Sequence, residues 1–357
     1  MGLKKIVRKR IAGGCGYMET LRTLYGADPR EVWAIFSKYG REPRAKNAWK
    51  NEYPKLPEPH PAYSQWRMRP RAAGRLLKKI GEKRYKRVCF LGCPVLGMEF
   101  AAMGNPNGVL LDIDGGVLAY ARKSGNAVRY DAHSAIPARL KGRFDCTVID
   151  PPWYYDDVRL FIARACALTK KGGTIYSSLP GLLTRPAIVR ERLDFQKWLG
   201  RSGLVVAELR PCVEYEVPPF EMAAYGDIPQ FSGAPWRRGD WLKLKKTGGE
   251  GGAGVRTKQQ PRWLEYSFGR KRVFLRDEKG ARFKGEKLRL SLVGGSMVLR
   301  TVSKRNPLVG RIDLWSSRNA VLHVDSGFRA LKKILDACGK TGRLAGGGEK
   351  LAEFLAA

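Results

Sequence analysis

Two successive prolines close an apolar run at Asp150-Pro151-Pro152-Trp153, and no other feature constrains the fold of this chain as strongly. Residues 144–149 read as a buried strand of mixed apolar and small residues. Proline lacks an N–H for a ladder and restricts the residue before it, so the strand has to stop there. A carboxylate, a proline carbonyl and an indole face are left together at the carboxyl end of a strand. Open α/β sheets bind their ligands at that edge. A flat ring carrying an amino group suits such a place, with acceptors for its N–H groups and an aromatic platform for its face. A nucleobase meets both demands.

The pattern around the motif supports an α/β sheet. Between residues 70 and 246, short apolar runs at 87–91, 108–113, 127–130, 145–149, 174–178, 204–209 and 241–245 read as strands. Helical patterns at 71–80, 95–103, 116–123, 156–169 and 187–201 alternate with them. This alternation predicts a parallel, doubly wound sheet. Four segments follow from it: a basic N-terminal extension over 1–69, the sheet domain over 70–246, a glycine-rich linker over 247–260, and a small α+β domain over 261–357. In the extension, 29–39 is predicted helical. In the last segment, strands are predicted at 272–276, 287–293, 297–302, 310–315 and 319–324, with a closing helix at 328–337.

Charge narrows the class of partner. The chain has 67 Lys and Arg against 33 Asp and Glu, a formal charge of +34. Such a surplus is the electrostatic footprint of a polyanion partner, nucleic acid above all, and it opposes a polycation. No run approaches the roughly 20 apolar residues that span a bilayer, so no membrane is expected. Seven cysteines without a Cys-x-x-Cys pair, and three histidines, argue against a disulfide framework and against a metal centre. A reducing, cytoplasmic location follows as an expectation.

The order of strand-end signals carries a resemblance. One strand ends at Leu91-Gly92, the next at Leu111-Asp112-Ile113-Asp114, Asp131 follows Val128-Arg129-Tyr130, and Asp-Pro-Pro-Trp closes the fourth. This series resembles the Rossmann-like methyltransferases that use S-adenosylmethionine, in the branch that methylates exocyclic amino groups. It is most similar there to the adenine-N6 enzymes, and the resemblance covers about residues 85–246. It implies a Rossmann-like doubly wound sheet, S-adenosyl-L-methionine as cofactor, and DNA or RNA as substrate. Gly92 and Gly97 would let backbone N–H groups approach the cofactor. Asp112 with Ile113 would hold its ribose, and Asp131 its adenine amino group. Asp112 can alternatively cap the next helix, although Asp114 fits that task better, and Asp131 can be a turn carboxylate. Over 90–98 the usual G-x-G-x-G is missing, with Cys93-Pro94-Val95 after the first glycine.

Catalysis is expected from Asp150, Pro151, Pro152 and Trp153. Asp150 and the Pro151 carbonyl would accept the two N–H groups of the target, and Trp153 or Tyr154 would stack a base taken out of its helix. Thr184 and Arg185, after the fifth strand, and Trp236 and Arg237, in an irregular aromatic stretch, are the candidate substrate-binding residues. Basic clusters at 270–272 and 300–307 are expected to follow phosphate or to meet a protein partner, a solvated charged face being the alternative. The same layout is also similar to branched-chain polyamine synthases, which transfer an aminopropyl group. Those enzymes carry acids directly after the first-strand glycine, where this chain has none. A non-catalytic nucleic-acid binder is the third alternative.

Overall fold

A computed structural model describes residues 2–123, 125–248, 255, 260–277, 287–341 and 346–357. Most of the expected linker over 247–260 lies outside the described residues. The chain forms two compact units that are not consecutive in sequence. The first contains residues 1–52, 67–217 and 229–259, and the second 53–66, 218–228 and 260–357. The linear division into extension and sheet domain is therefore not the one the chain adopts.

Residues 2–52, most of the expected basic extension, are largely helical. They form three helices, α1 (Leu3–Ala12), α2 (Tyr17–Thr23) and α3 (Pro29–Tyr39). Charge conceals the first of them, whose one fully enclosed side chain is Val7. Tyr17 meets Trp33 and Phe36 edge to face at 5.5 and 5.7 Å, which closes a small core. α3 begins where its sequence predicts. Pro29 sits at the first position, and the Asp28 carboxylate accepts from the Arg30 N–H at 2.7 Å.

After α4 (Pro70–Glu82), strands and helices alternate: β1 (Val88–Leu91), α5 (Pro94–Ala102), β2 (Gly108–Asp112), α6 (Gly115–Ala121), β3 (Asn126–Arg129), β4 (Phe144–Ile149), α7 (Tyr155–Leu168), β5 (Thr169–Pro180), α8 (Ile188–Gly200) and β6 (Leu204–Glu214). α9 (Pro219–Ala224) belongs to the second unit, and β7 (Arg238–Lys246) returns to the first. The sheet order is β3-β2-β1-β4-β5-β7-β6. Strands β1 to β5 pair in parallel, as expected. β7 inserts antiparallel between β5 and β6, so the sheet is mixed rather than wholly parallel. The winding reverses between β1 and β4, which is where a ligand crevice opens in such sheets. Leu91, Ile149, Ile162, Cys166, Ile175 and Phe195 fill the layer between the sheet and helices α7 and α8.

The second unit is a five-stranded antiparallel sheet, β8 (Trp263–Phe268), β9 (Lys271–Arg276), β10 (Arg289–Leu292), β11 (Leu314–Ser316) and β12 (Val321–Ser326), in the order β10-β12-β11-β9-β8. Helices α10 (Phe328–Thr341) and α11 (Gly348–Ala356) bring Leu331, Leu335, Leu351 and Phe354 onto one face of it. Strand β8 and helix α11 have no counterpart in the sequence reading. The strand expected at 297–302 reduces to a single bridge between Val298 and Ala320. Residues Pro307–Arg311 form a 3₁₀ turn where the next strand was expected to begin. Among the described residues no helix is long and apolar enough to cross a membrane.

Candidate active site

Register brings the candidate residues to one edge. Leu91 lies opposite both Leu111 and Ile149, and Ile149 lies opposite Ser177. The residues that follow these strand ends, Gly92, Asp112, Asp150 and Ser178, therefore gather where the winding reverses. Gly92 turns the chain with φ +64°, and a Cβ there would stand 2.7 Å from Phe161 on α7. Both the left-handed backbone and the contact require glycine. Gly92→Ala is expected to cost about 1–3 kcal/mol of stability. Urea unfolding checks this, and an unchanged midpoint would contradict it.

Asp150 is the centre of the site. The Ser178 hydroxyl donates to its Oδ1 at 2.5 Å and the Tyr215 hydroxyl donates to the same oxygen at 2.7 Å. The second oxygen has no hydrogen bond among the described residues. Protein surrounds the side chain on all but a small accessible face, and burial pushes its carboxyl up to about 6 against the pull of the two hydroxyls. Tyr215, only 1% exposed, is held well above the ordinary phenol range by its own burial and by the neighbouring carboxylate. It stays a donor at any pH of interest. Cys93 lies between the ends of β1 and β4, where its thiol donates to the Val148 carbonyl at 3.3 Å.

Trp153 is held as a plate rather than buried as a core ring. Tyr215 meets it edge to face at 5.2 Å, and the Arg237 guanidinium lies 5.4 Å from its centroid. Glycines make room for it, since a Cβ at Gly239 would come within 2.6 Å of the indole and one at Gly26 within 3.4 Å. Arg185 donates to the Trp153 carbonyl at 2.8 Å, pairs with Glu191 and lies over the Tyr154 ring. The Thr184 hydroxyl donates to the Gly181 carbonyl within the same turn. Both residues thereby fasten the motif loop and stay partly accessible beside it. Trp236, only 1% exposed, packs beneath Arg237 and offers no face for a base. Phe231, from the same stretch, is buried as well.

The remaining candidates separate. Asp112 ends β2, is 5% exposed, and accepts from the Asp114 N–H at 2.9 Å, with Ile113 half-buried beside it. The helix-capping alternative falls to Asp114, which accepts from the Val117 N–H at 3.1 Å. Asp131, after β3, accepts from the backbone and the ring of His133, and that contact holds its carboxyl below the usual range. Gly97 does not join them. It lies on α5, where a Cβ would meet Phe90 and Leu110 at 3.4 Å, and so serves the close approach of helix and sheet.

Sequence reasoning missed Ser178, Tyr215 and Arg192. Ser178 carried a readable sign, a polar pair at the end of an apolar strand. Tyr215 carried none, because its approach depends on where β6 ends. Arg192 on α8 donates to Tyr155 at 2.5 Å, to the Pro180 carbonyl at 2.6 Å and to Asp240 at 2.7 Å, tying β5, β7 and α7 together below the site.

The sheet order, the reversed β7 and the carboxylates at successive strand ends define the class: a Rossmann-like α/β fold. Within it, residues 57–222, just under half of the chain, match the family described as the branched-chain polyamine synthase A C-terminal domain. The branched-chain polyamine synthase of Thermus thermophilus, solved with N4-aminopropylspermidine and 5'-methylthioadenosine, superposes with a TM-score of 0.55 at 18% identity, covering 73% of this chain and 92% of that one. A mutein of the same enzyme gives 0.56 at 17%, covering 73% and 91%. An uncharacterized protein of Methanocaldococcus jannaschii is 30% identical over 149 residues, 39% of this chain and 37% of the relative's own length.

Proposed function

We propose that this protein is an S-adenosylmethionine-dependent methyltransferase that alkylates an exocyclic amino group of a nucleobase, adenine N6 first among them, in DNA or RNA. The observation that carries the reading is Asp150, one oxygen fixed by two hydroxyls and the other without a hydrogen bond among the described residues, at the strand end that leads into Trp153, in a chain of charge +34. The residues fit the cofactor. The acceptors at the ends of β2 and β3, Asp112 and Asp131, are the kind that ribose hydroxyls and an adenine amino group require, and Gly92 keeps a side chain out of the turn after β1. Asp112→Ala is expected to weaken binding of the cofactor by about 1.5–3 kcal/mol, the range for a hydrogen bond to a charged group. Titration calorimetry checks this, and an unchanged affinity would move the role to another residue.

When bound, S-adenosylmethionine supplies a methyl group on a sulfonium, which leaves as a thioether. Everything else is done by the chain. An amide-like amino nitrogen is a weak nucleophile because its lone pair is shared with the ring. Asp150 Oδ2 accepts one of its N–H groups, favours a pyramidal nitrogen and takes up the proton that leaves as the new N–C bond forms. Trp153 stacks the ring, and Ser178 and Tyr215 keep the carboxylate aimed. Because the acceptor has to be ionised, transfer is expected to fall as pH drops through about 6. In Tyr215→Phe the carboxylate loses a donor, so the acid limb should move to higher pH, by on the order of one unit. A pH profile that stays in place would remove Tyr215 from this role.

A second reading, aminopropyl transfer to a polyamine, is favoured by the family match over residues 57–222 and by the Thermus neighbours. Cys93-Pro94-Val95 after the first glycine and the +34 charge oppose it, since nothing there attracts a polycation. Supplying labelled donor of each kind with nucleic acid or spermidine separates the two.

A further inference from the structure

We infer that residues 40–52, together with helices α1 to α3, form a guide track that leads a single nucleic-acid strand across to Trp153. The inference rests on the nucleobase reading above and assigns the recognition element that reading lacks. Residues 1–52 lie outside the family match, which begins at residue 57. They carry twelve Lys or Arg against five Asp or Glu, a surplus of seven. Four of the five acids are occupied within the fold. Glu19 pairs with Arg10, Glu42 accepts from the Tyr17 N–H, Asp28 caps α3, and Glu52 pairs with Arg69. The surplus of seven positive charges therefore exceeds what the segment's own acids balance, which disfavours the compact state unless a partner neutralises it.

Their placement points to the site. The α2–α3 loop packs against the motif: a Cβ at Gly26 would lie 3.0 Å from Thr184 and 3.4 Å from Trp153, and the Tyr25 carbonyl faces Gly181. From α3 the chain continues over 40–52 without helix or strand, yet it is fixed at four points. Ala45 donates to the Pro229 carbonyl at 3.1 Å, Ala48 to that of Ser232 at 2.7 Å, and Gln230 donates to the Glu42 carbonyl at 2.9 Å. The Trp49 indole donates to the Val217 carbonyl at 2.8 Å. Val217 lies two residues beyond Tyr215, and Pro229–Ser232 lead into the segment that places Arg237 over Trp153. Arg41, Arg44, Lys46 and Lys50 are all exposed along this fixed strap, and none is in an ion pair among the described residues. A tethered row of exposed cations, on a segment bonded next to the stretches that carry Tyr215 and Arg237, is an arrangement that can track a phosphate backbone while a base is stacked.

The test is anisotropy with a fluorescent 20-nucleotide single strand, as RNA and as DNA, over a salt series. The full chain is compared with the Arg41→Gln, Arg44→Gln, Lys46→Gln, Lys50→Gln variant. The variant should bind at least ten-fold more weakly at 100 mM salt, with a log–log slope shallower by about 3, since each lost phosphate contact removes about 0.7–0.9. Cofactor affinity should not change, and a variant with lysine at all four positions should recover the affinity. A glutamine variant that binds within two-fold at the same slope would overturn the track, as would a wild-type chain that binds neither strand. Tight strand binding lost in the variant, with label passing only to spermidine, would instead keep the track and overturn the nucleobase reading.

Discussion

Replacing Asp150 by Asn is expected to lower transfer by about 100- to 1,000-fold, the loss that follows removal of a single oriented group acting on developing charge, and at the same time to raise stability at pH 8. The first effect follows because the amide cannot take the proton that leaves the target nitrogen. The second follows from the sign of the carboxyl shift. Its value in the fold, about 6, lies above the ordinary aspartate value. Between those two limits the folded chain holds more protons than the unfolded chain, so stability falls as pH rises through that window and stays lower above it. A shift of two units corresponds to about 3 kcal/mol at most, and the amide, which still accepts from Ser178 and Tyr215, should recover about 1–3 kcal/mol of it. The difference should vanish below pH 4. Urea unfolding at pH 4 and pH 8, alongside rates, reads both effects. A variant that keeps more than a tenth of the activity would show that Asp150 is not the acceptor, and one that is destabilised at pH 8 would show that its hydroxyl partners outweigh its burial.

Nucleic-acid binding is expected to collapse with salt. If several of the 67 Lys and Arg residues meet phosphates, each contact releases condensed counterions, and the slope of log affinity on log salt should reach −4 or steeper. Raising salt from 50 to 200 mM then weakens binding by roughly 250-fold. The slope is measurable without knowing the target sequence, because this contribution carries no sequence information. Neutralising Arg300, Lys304 and Arg305 in the second unit should make it shallower if that unit also meets phosphate. An unchanged slope would mark their cluster as a surface for a protein partner. Salt-independent binding would contradict the phosphate reading altogether.

The parts of this molecule that sequence displays are those set by local rules. Consecutive prolines, strand-end acids and apolar runs gave the sheet domain, its ordered strand ends and the position of Asp150. Helix α3 was legible because Asp28 and Pro29 mark its start. What stayed hidden depends on long-range geometry. Nothing in a strand's own residues says that β7 will run backwards between β5 and β6, or that Tyr215 will thereby reach a carboxylate 65 positions away. The surroundings of Trp236 and Arg185 were hidden for the same reason. An aromatic or an arginine near a site reads as a ligand contact, yet the indole of Trp236 fills core volume and the guanidinium of Arg185 is engaged by Glu191 and a carbonyl. Helix α1 was hidden by its charge, which drew attention away from the apolar stripe that docks it.

The most direct measurement is transfer itself. The full chain, incubated with methyl-labelled S-adenosylmethionine and, separately, with aminopropyl-labelled decarboxylated donor, is offered total RNA, total DNA and spermidine, followed by nucleoside and polyamine analysis. Label from S-adenosylmethionine is expected on an exocyclic amino group of a nucleoside, and absent with Asp150→Asn. Label confined to spermidine, or nucleoside label that persists in Asp150→Asn, would contradict the nucleobase reading.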